Sequence, residues 1–165
     1  MRNQVWKTFA AQEVSHSVAH YLATIHDLHE SHGYARISDV ARVLELTKGS
    51  VSVQMKHLKE KGFVEEDENR FLRLTSLGET VVSGVRYNRQ VIVEFLSNVL
   101  GVNAAQAETD ACKIEHLLSH ETCRQIRELV EFLDLGRPEV HSFLEKFRDF
   151  RANGTGDAKE CPGAR

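Results

Sequence analysis

The amino-acid sequence predicts a mainly α fold in which a winged helix-turn-helix unit is followed by an all-helical unit. Three observations predict it. Only two prolines occur, Pro138 and Pro162, so helix is permitted up to about residue 136. Apolar residues recur at three- and four-residue steps over most of that span. The period lapses between residues 63 and 75, where two short runs, one alternating, flank a polar loop.

The first helix is predicted over residues 15–31, with Val18, Leu22, Ile25 and Leu28 on one stripe and Gly33 as its stop. A short helix over 37–44 follows; Ser38 is positioned to cap it, and Val40, Ala41, Val43 and Leu44 form its apolar face. The polar turn 47–50 leads into a helix over 50–61, with Val51, Met55 and Leu58 turned inward and Gly62 ending it. Two short helices about a glycine-containing turn, the second basic outside, have the form of a helix-turn-helix. The runs 63–66 and 70–75 around Asp67-Glu68-Asn69 predict a hairpin, which makes the unit winged. Thr75 opens a long amphipathic helix to about residue 100, closed by Gly101. Helices over 104–118, 119–133 and 139–150 and a loose tail complete the chain. The expected units are 1–76, 77–150 and a flexible tail, 151–165.

Composition narrows the function classes. Charge interrupts every apolar stretch before the ~18 residues that a membrane span needs. Residues 1–10 hold no apolar core for a signal peptide, so a cytoplasmic protein is expected. The cysteines at 112, 123 and 161 are too few for a disulfide framework and are expected to be thiols. Net charge is −3, yet residues 47–61 carry Lys48, Lys56, Lys59 and Lys61 against Glu60 alone, a local +3 that suits a phosphate-facing surface.

A helix entering the major groove needs small polar side chains near its N-terminus and cations on its exposed side. Thr47, Lys48, Ser50, Ser52 and Gln54 supply the first, Lys56 and Lys59 the second, and Arg70 and Arg73 give the wing its own cations. An ordinary solvated helix pair is the plainer alternative. Further on, Cys112, Glu115 and His116 stand at i, i+3 and i+4, which on a continuous helix gathers thiolate, carboxylate and imidazole on one face. That mixed set suits Fe(II), Co(II), Ni(II) or Zn(II). The first helix offers His20, with His16 one turn before it, as a fourth ligand. A buried structural cysteine beside a surface Glu-His pair is the alternative here. Ile92, Phe95, Leu96 and Val99, with Ile126, Leu129, Val130 and Leu133, make more apolar surface than so small a unit hides alone, so part of it is expected to face a second copy. No phosphate loop, nucleophile elbow or paired-carboxylate pattern is present, and no enzyme is expected.

The stretch Tyr21-Leu22-Ala23-Thr24-Ile25-His26-Asp27-Leu28, the segment Ile37-Ser38-Asp39-Val40-Ala41, the strand and turn Leu72-Arg73-Leu74-Thr75-Ser76-Leu77-Gly78 and, above all, Asp110-Ala111-Cys112-Lys113-Ile114-Glu115-His116-Leu117-Leu118-Ser119 carry a resemblance. Over residues 15–135 the chain resembles the diphtheria toxin repressor family of metal-dependent transcriptional regulators. The resemblance implies a DNA-binding unit joined to a dimerisation unit with metal bound between them. It implies a homodimer that, loaded with Fe(II) or Mn(II), occupies palindromic operator DNA of metal-uptake genes. Cys112, Glu115 and His116 fall on family ligand positions, the cysteine resembling the iron-responsive type. His20 falls where the family uses methionine or aspartate, a departure that also admits Zn(II), Co(II) or Ni(II). The family's ancillary site is broken by Arg89 and Val93, although Glu108 remains, and the SH3-like domain of longer members is expected to be absent. A structural-zinc interaction module, or a zinc- or nickel-responsive regulator of the same fold, is the competing expectation.

Overall fold

A computed structural model describes residues 14–153. Helix α1, His16–His32, begins where the Ser15 hydroxyl accepts the Val18 N–H and ends where Gly33, at φ +77°, returns its N–H to the His29 carbonyl. The expected stripe of Val18, Leu22, Ile25 and Leu28 is buried. Helix α2, Ile37–Val43, has Arg36 at its N-cap, two residues before Ser38, and no side-chain cap. The reason is tertiary: the Leu72 N–H donates to the Ala35 carbonyl at 2.8 Å, so the chain leaves a β-bridge directly into the helix and Ser38 already lies inside it. Helix α3, Lys48–Glu60, also starts earlier than expected, because the Thr47 hydroxyl, rather than Ser50, caps it by accepting the Ser50 N–H at 3.1 Å.

Strands β1, Val64–Glu66, and β2, Leu72–Leu74, pair antiparallel with Glu65 opposite Arg73. Asp67 builds the wing turn, its carboxylate accepting the N–H groups of Asn69 and Phe71 at 2.9 Å each. Leu22, Ile25, Val40, Val51, Met55, Leu58 and Leu72 close one core beneath α1, α2, α3 and the wing. Val82 joins them from helix α4, Ser76–Glu94, so the next element grows out of the same core. Gly78 is required at that junction, since a Cβ there would lie 2.2 Å from the Phe63 carbonyl oxygen.

Helix α4 runs into a π-helical turn, Phe95–Val99, and the chain reverses at Gly101, φ +65°. Helices α5, Ala104–Ile114, α6, His120–Asp134, and α7, Pro138–Asn153, follow. Helix α4 packs against α1, α5 and α6 and so is the hub between the two units. Helix α5 ends at Ile114, short of the expected 118, and Glu115 and His116 lie at its exit and in the turn beyond. The side-chain amide of Asn88 donates to the carbonyls of Glu115 and Leu118 in that turn, at 2.8 and 3.2 Å. Residues 151 to 153, expected in the tail, belong to α7; the rest of the tail and Cys161 lie outside the described residues. Among the described residues no helix is long and apolar enough to cross a membrane.

Candidate metal centre and nucleic-acid interface

His16 and His20 stand four positions apart, so α1 presents both imidazoles on one face, their rings stacked at 4.3 Å. Helix α5 brings Cys112 against them, with Sγ 3.4 Å from His20 Nε2 and 3.9 Å from His16 Nε2. Ligand atoms of these three residues all lie within 4.8 Å of one another. The ring of His116 stands edge-on to that of His16, centroids 5.1 Å apart.

Glu115 faces elsewhere. Its carboxylate is 4% exposed as a residue and lies 3.9 Å from Arg89 Nη1, while Arg89 donates through Nε and Nη2 to Glu108. Cavities of about 170 and 180 Å³ flank Glu115, the first bordered by His20 and the second by His116. Of the four metal candidates, then, His20 and Cys112 meet directly, His116 stands beside His16, and Glu115 is turned toward a guanidinium. The sequence reading noted His16 only as the neighbour of His20; the i, i+4 spacing was the available signal. Cys123 is fully buried on α6, and burial pushes its thiol above the ordinary range.

Electrostatics favour the neutral form of two imidazoles, which is the form that donates a lone pair. Burial, then the neighbouring His16 and Arg89, hold the His20 imidazole below its ordinary pKa. Burial, then His16 and His20, do the same to His116. Burial pushes the Glu115 carboxyl up, against the opposing pull of Arg89. His116 Nδ1 and Glu115 Oε2 are buried with no hydrogen-bond partner, which is costly unless something else satisfies them. Two imidazoles and a thiol in mutual reach, with orphaned donor atoms beside them, fit a divalent transition metal.

In the winged unit, Thr47, Lys48, Ser50, Ser52 and Lys56 are exposed along α3 and Gln54 is half-buried. Lys59, expected to reach a phosphate, donates instead to Glu66 of β1 at 2.5 Å, and Arg73 lies 3.9 Å from Asp67. Val53, which sequence reasoning passed over, is 61% exposed in the middle of α3. In the helical unit Ile92 and Val130 are buried within the chain, whereas Leu129, Phe132, Leu135 and Phe143 are exposed. The unpartnered apolar face therefore belongs to α6 and α7 more than to α4.

Two regions match known family descriptions. Residues 13–72 match the iron dependent repressor N-terminal DNA binding domain, and residues 75–142 match the iron dependent repressor metal binding and dimerisation domain. The HTH-type transcriptional regulator MntR of Oceanobacillus iheyensis is 31% identical over 116 residues, 70% of this chain and 78% of that protein. That of Shouchella clausii is 28% identical over 136 residues, 81% and 94% of the two chains. Among solved structures, T. acidophilum IdeR superposes with a TM-score of 0.57 at 26% identity over 67% of this chain and 52% of its own, so the present chain spans about half of that relative. On these matches and on a fold of winged helix plus helical unit, the chain belongs to the iron-dependent (diphtheria toxin) repressor family of metal-dependent transcriptional regulators.

Proposed function

We propose that this chain is a cytoplasmic repressor that binds a palindromic operator as a homodimer when a divalent metal is bound, and that it controls metal-uptake genes. The observation that carries this reading is the meeting of His20 with Cys112. The two side chains come from different units, 1–76 and 77–150, and touch at 3.4 Å. The metal centre is assigned to His20 and Cys112 with His116 and Glu115 adjoining. Fe(II) or Mn(II) is the expected ion on the family's account, and the thiol of Cys112 favours Fe(II) of the two.

When bound, the metal supplies a bond between the units. His20 then restrains α1, and through their shared core α1 restrains α3. Holding two α3 helices about one turn of DNA apart, ~34 Å, removes an entropic cost of operator binding. Linkage requires DNA and metal to raise each other's affinity by the same factor. Thr47, Lys48, Ser50, Ser52, Gln54 and Lys56 face the groove in this reading, with Lys59 and Arg73 at its margin.

A duplex pool with a random core, enriched for binding by the Mn(II)- or Fe(II)-loaded protein, tests it. The selected sequences are expected to be two-fold repeats whose gel shift disappears on adding a chelator and returns with metal. A shift indifferent to chelator refutes the metal dependence, and no selected sequence at all refutes the repressor and leaves a structural-zinc interaction module.

A further inference from the structure

We propose that His16, which lies outside the ligand set the family pattern supplies, is itself a metal ligand, so that the centre is a His16–His20–Cys112 site for a borderline divalent ion rather than a hard one. The inference rests on the metal-dependent reading above and deepens it.

The argument is geometric. An ion held at ~2.3 Å from sulfur and ~2.1 Å from nitrogen with tetrahedral angles sets those two donors ~3.6 Å apart. The observed separations from Cys112 Sγ, 3.4 Å to His20 Nε2 and 3.9 Å to His16 Nε2, bracket that value. Both histidines turn the same ring nitrogen toward the sulfur, and their rings lie within 20° of parallel. The ligand atoms of all three residues lie within 4.8 Å of one another. Glu115 meanwhile stands outside this group, its Oε2 3.9 Å from Arg89 Nη1 without a hydrogen bond, and Arg89 is itself held by Glu108. Two nitrogens and a sulfur, rather than a carboxylate oxygen, thus make up the cluster. Soft and borderline donors of this kind select Fe(II), Co(II) or Zn(II) over Mn(II), which prefers oxygen. His16 is exposed, which leaves the ion a path to solvent.

Cobalt(II) alone, titrated into the full chain without DNA, is the test. The wild type is expected to develop a thiolate-to-cobalt charge-transfer band in the near ultraviolet and strong visible bands of four-coordinate cobalt. It is also expected to hold Co(II) against an excess of Mn(II). His16→Ala should lose the four-coordinate intensity and bind Co(II) at least ~10-fold more weakly, since even outer-sphere partners carry that much. Cys112→Ser should lose the charge-transfer band. Circular dichroism checks that both variants are folded; His16→Gln is a second variant should the alanine fail. A His16 variant that keeps the wild-type spectrum and affinity, or a wild type in which Mn(II) displaces Co(II) at equal concentration, overturns the proposal. Because no DNA is present, these outcomes are independent of whether the protein represses: cobalt bound through His16 by a protein that ignores operators would sink the regulatory reading and leave this one intact.

Discussion

The side chain of Asn88 on α4 donates to the backbone carbonyl of Glu115 at 2.8 Å, just past the last residue of α5, and to that of Leu118 at 3.2 Å. The two bonds tie the turn after α5 to the hub helix. His116 lies in that turn, beside His16. Asn88 is buried, and its loss would leave both carbonyls without this donor.

Asn88→Ala is therefore expected to cost ~1 to 3 kcal/mol of stability, the usual penalty for stranding buried carbonyls. Chemical denaturation measures that cost. Metal affinity should fall with it while the winged unit, whose core lacks Asn88, keeps its fold.

His116→Ala should leave a folded dimer whose DNA binding no longer responds to metal. Titrating operator duplex with and without added metal checks it. Undiminished metal dependence in this variant would show that His116 plays no part in the coupling.

Gly78 and Gly84 lie on the same helix and separate two effects. A Cβ at 78 meets the Phe63 carbonyl oxygen at 2.2 Å, a backbone atom that cannot swing aside, so Gly78→Ala should destabilise by ~1 to 3 kcal/mol. Nothing lies within 4 Å of a Cβ at 84, and Gly84→Ala should stabilise by ~0.5 to 1 kcal/mol through lower unfolded-chain entropy. Urea midpoints of the pair provide the comparison.

The lysines of α3 should differ in their salt response. Lys48 is exposed in the first turn, where a phosphate contact would contribute ~0.9 to the slope of log affinity against log salt. Lys59 is already paired with Glu66. Lys48→Ala should flatten the slope by nearly one, Lys59→Ala by much less, as read by anisotropy over a range of salt.

Phe132 is exposed beside Leu129 and Leu135. Placing a charge on that face should prevent a second copy from covering it. Phe132→Glu is expected to sediment as a monomer and to lose operator affinity while still binding metal.

Much of this was legible in the residues taken in order. Helix periods located α1, α3, α4 and α6, and Ser15 and Ser119 marked starts that the structure retains, because a cap bonds a residue only three positions away. Cys112 and His20 stood out by type and spacing. Ser38 is not the cap of α2 because Ala35 pairs with a distant strand, and α3 begins before residue 50 because Thr47 caps it.

The amino-acid order by itself determined the helices, the wing and the stock of donor atoms, since these follow from interactions within a turn or a hairpin. Which donors converge was decided only by tertiary structure. Arg89 pairs with Glu108 beside Glu115, Glu66 claims Lys59, and α1 sets His16 beside Cys112 across elements far apart in the chain. Such pairings depend on how helices cross, and side-chain period carries no record of the neighbour that packing will supply.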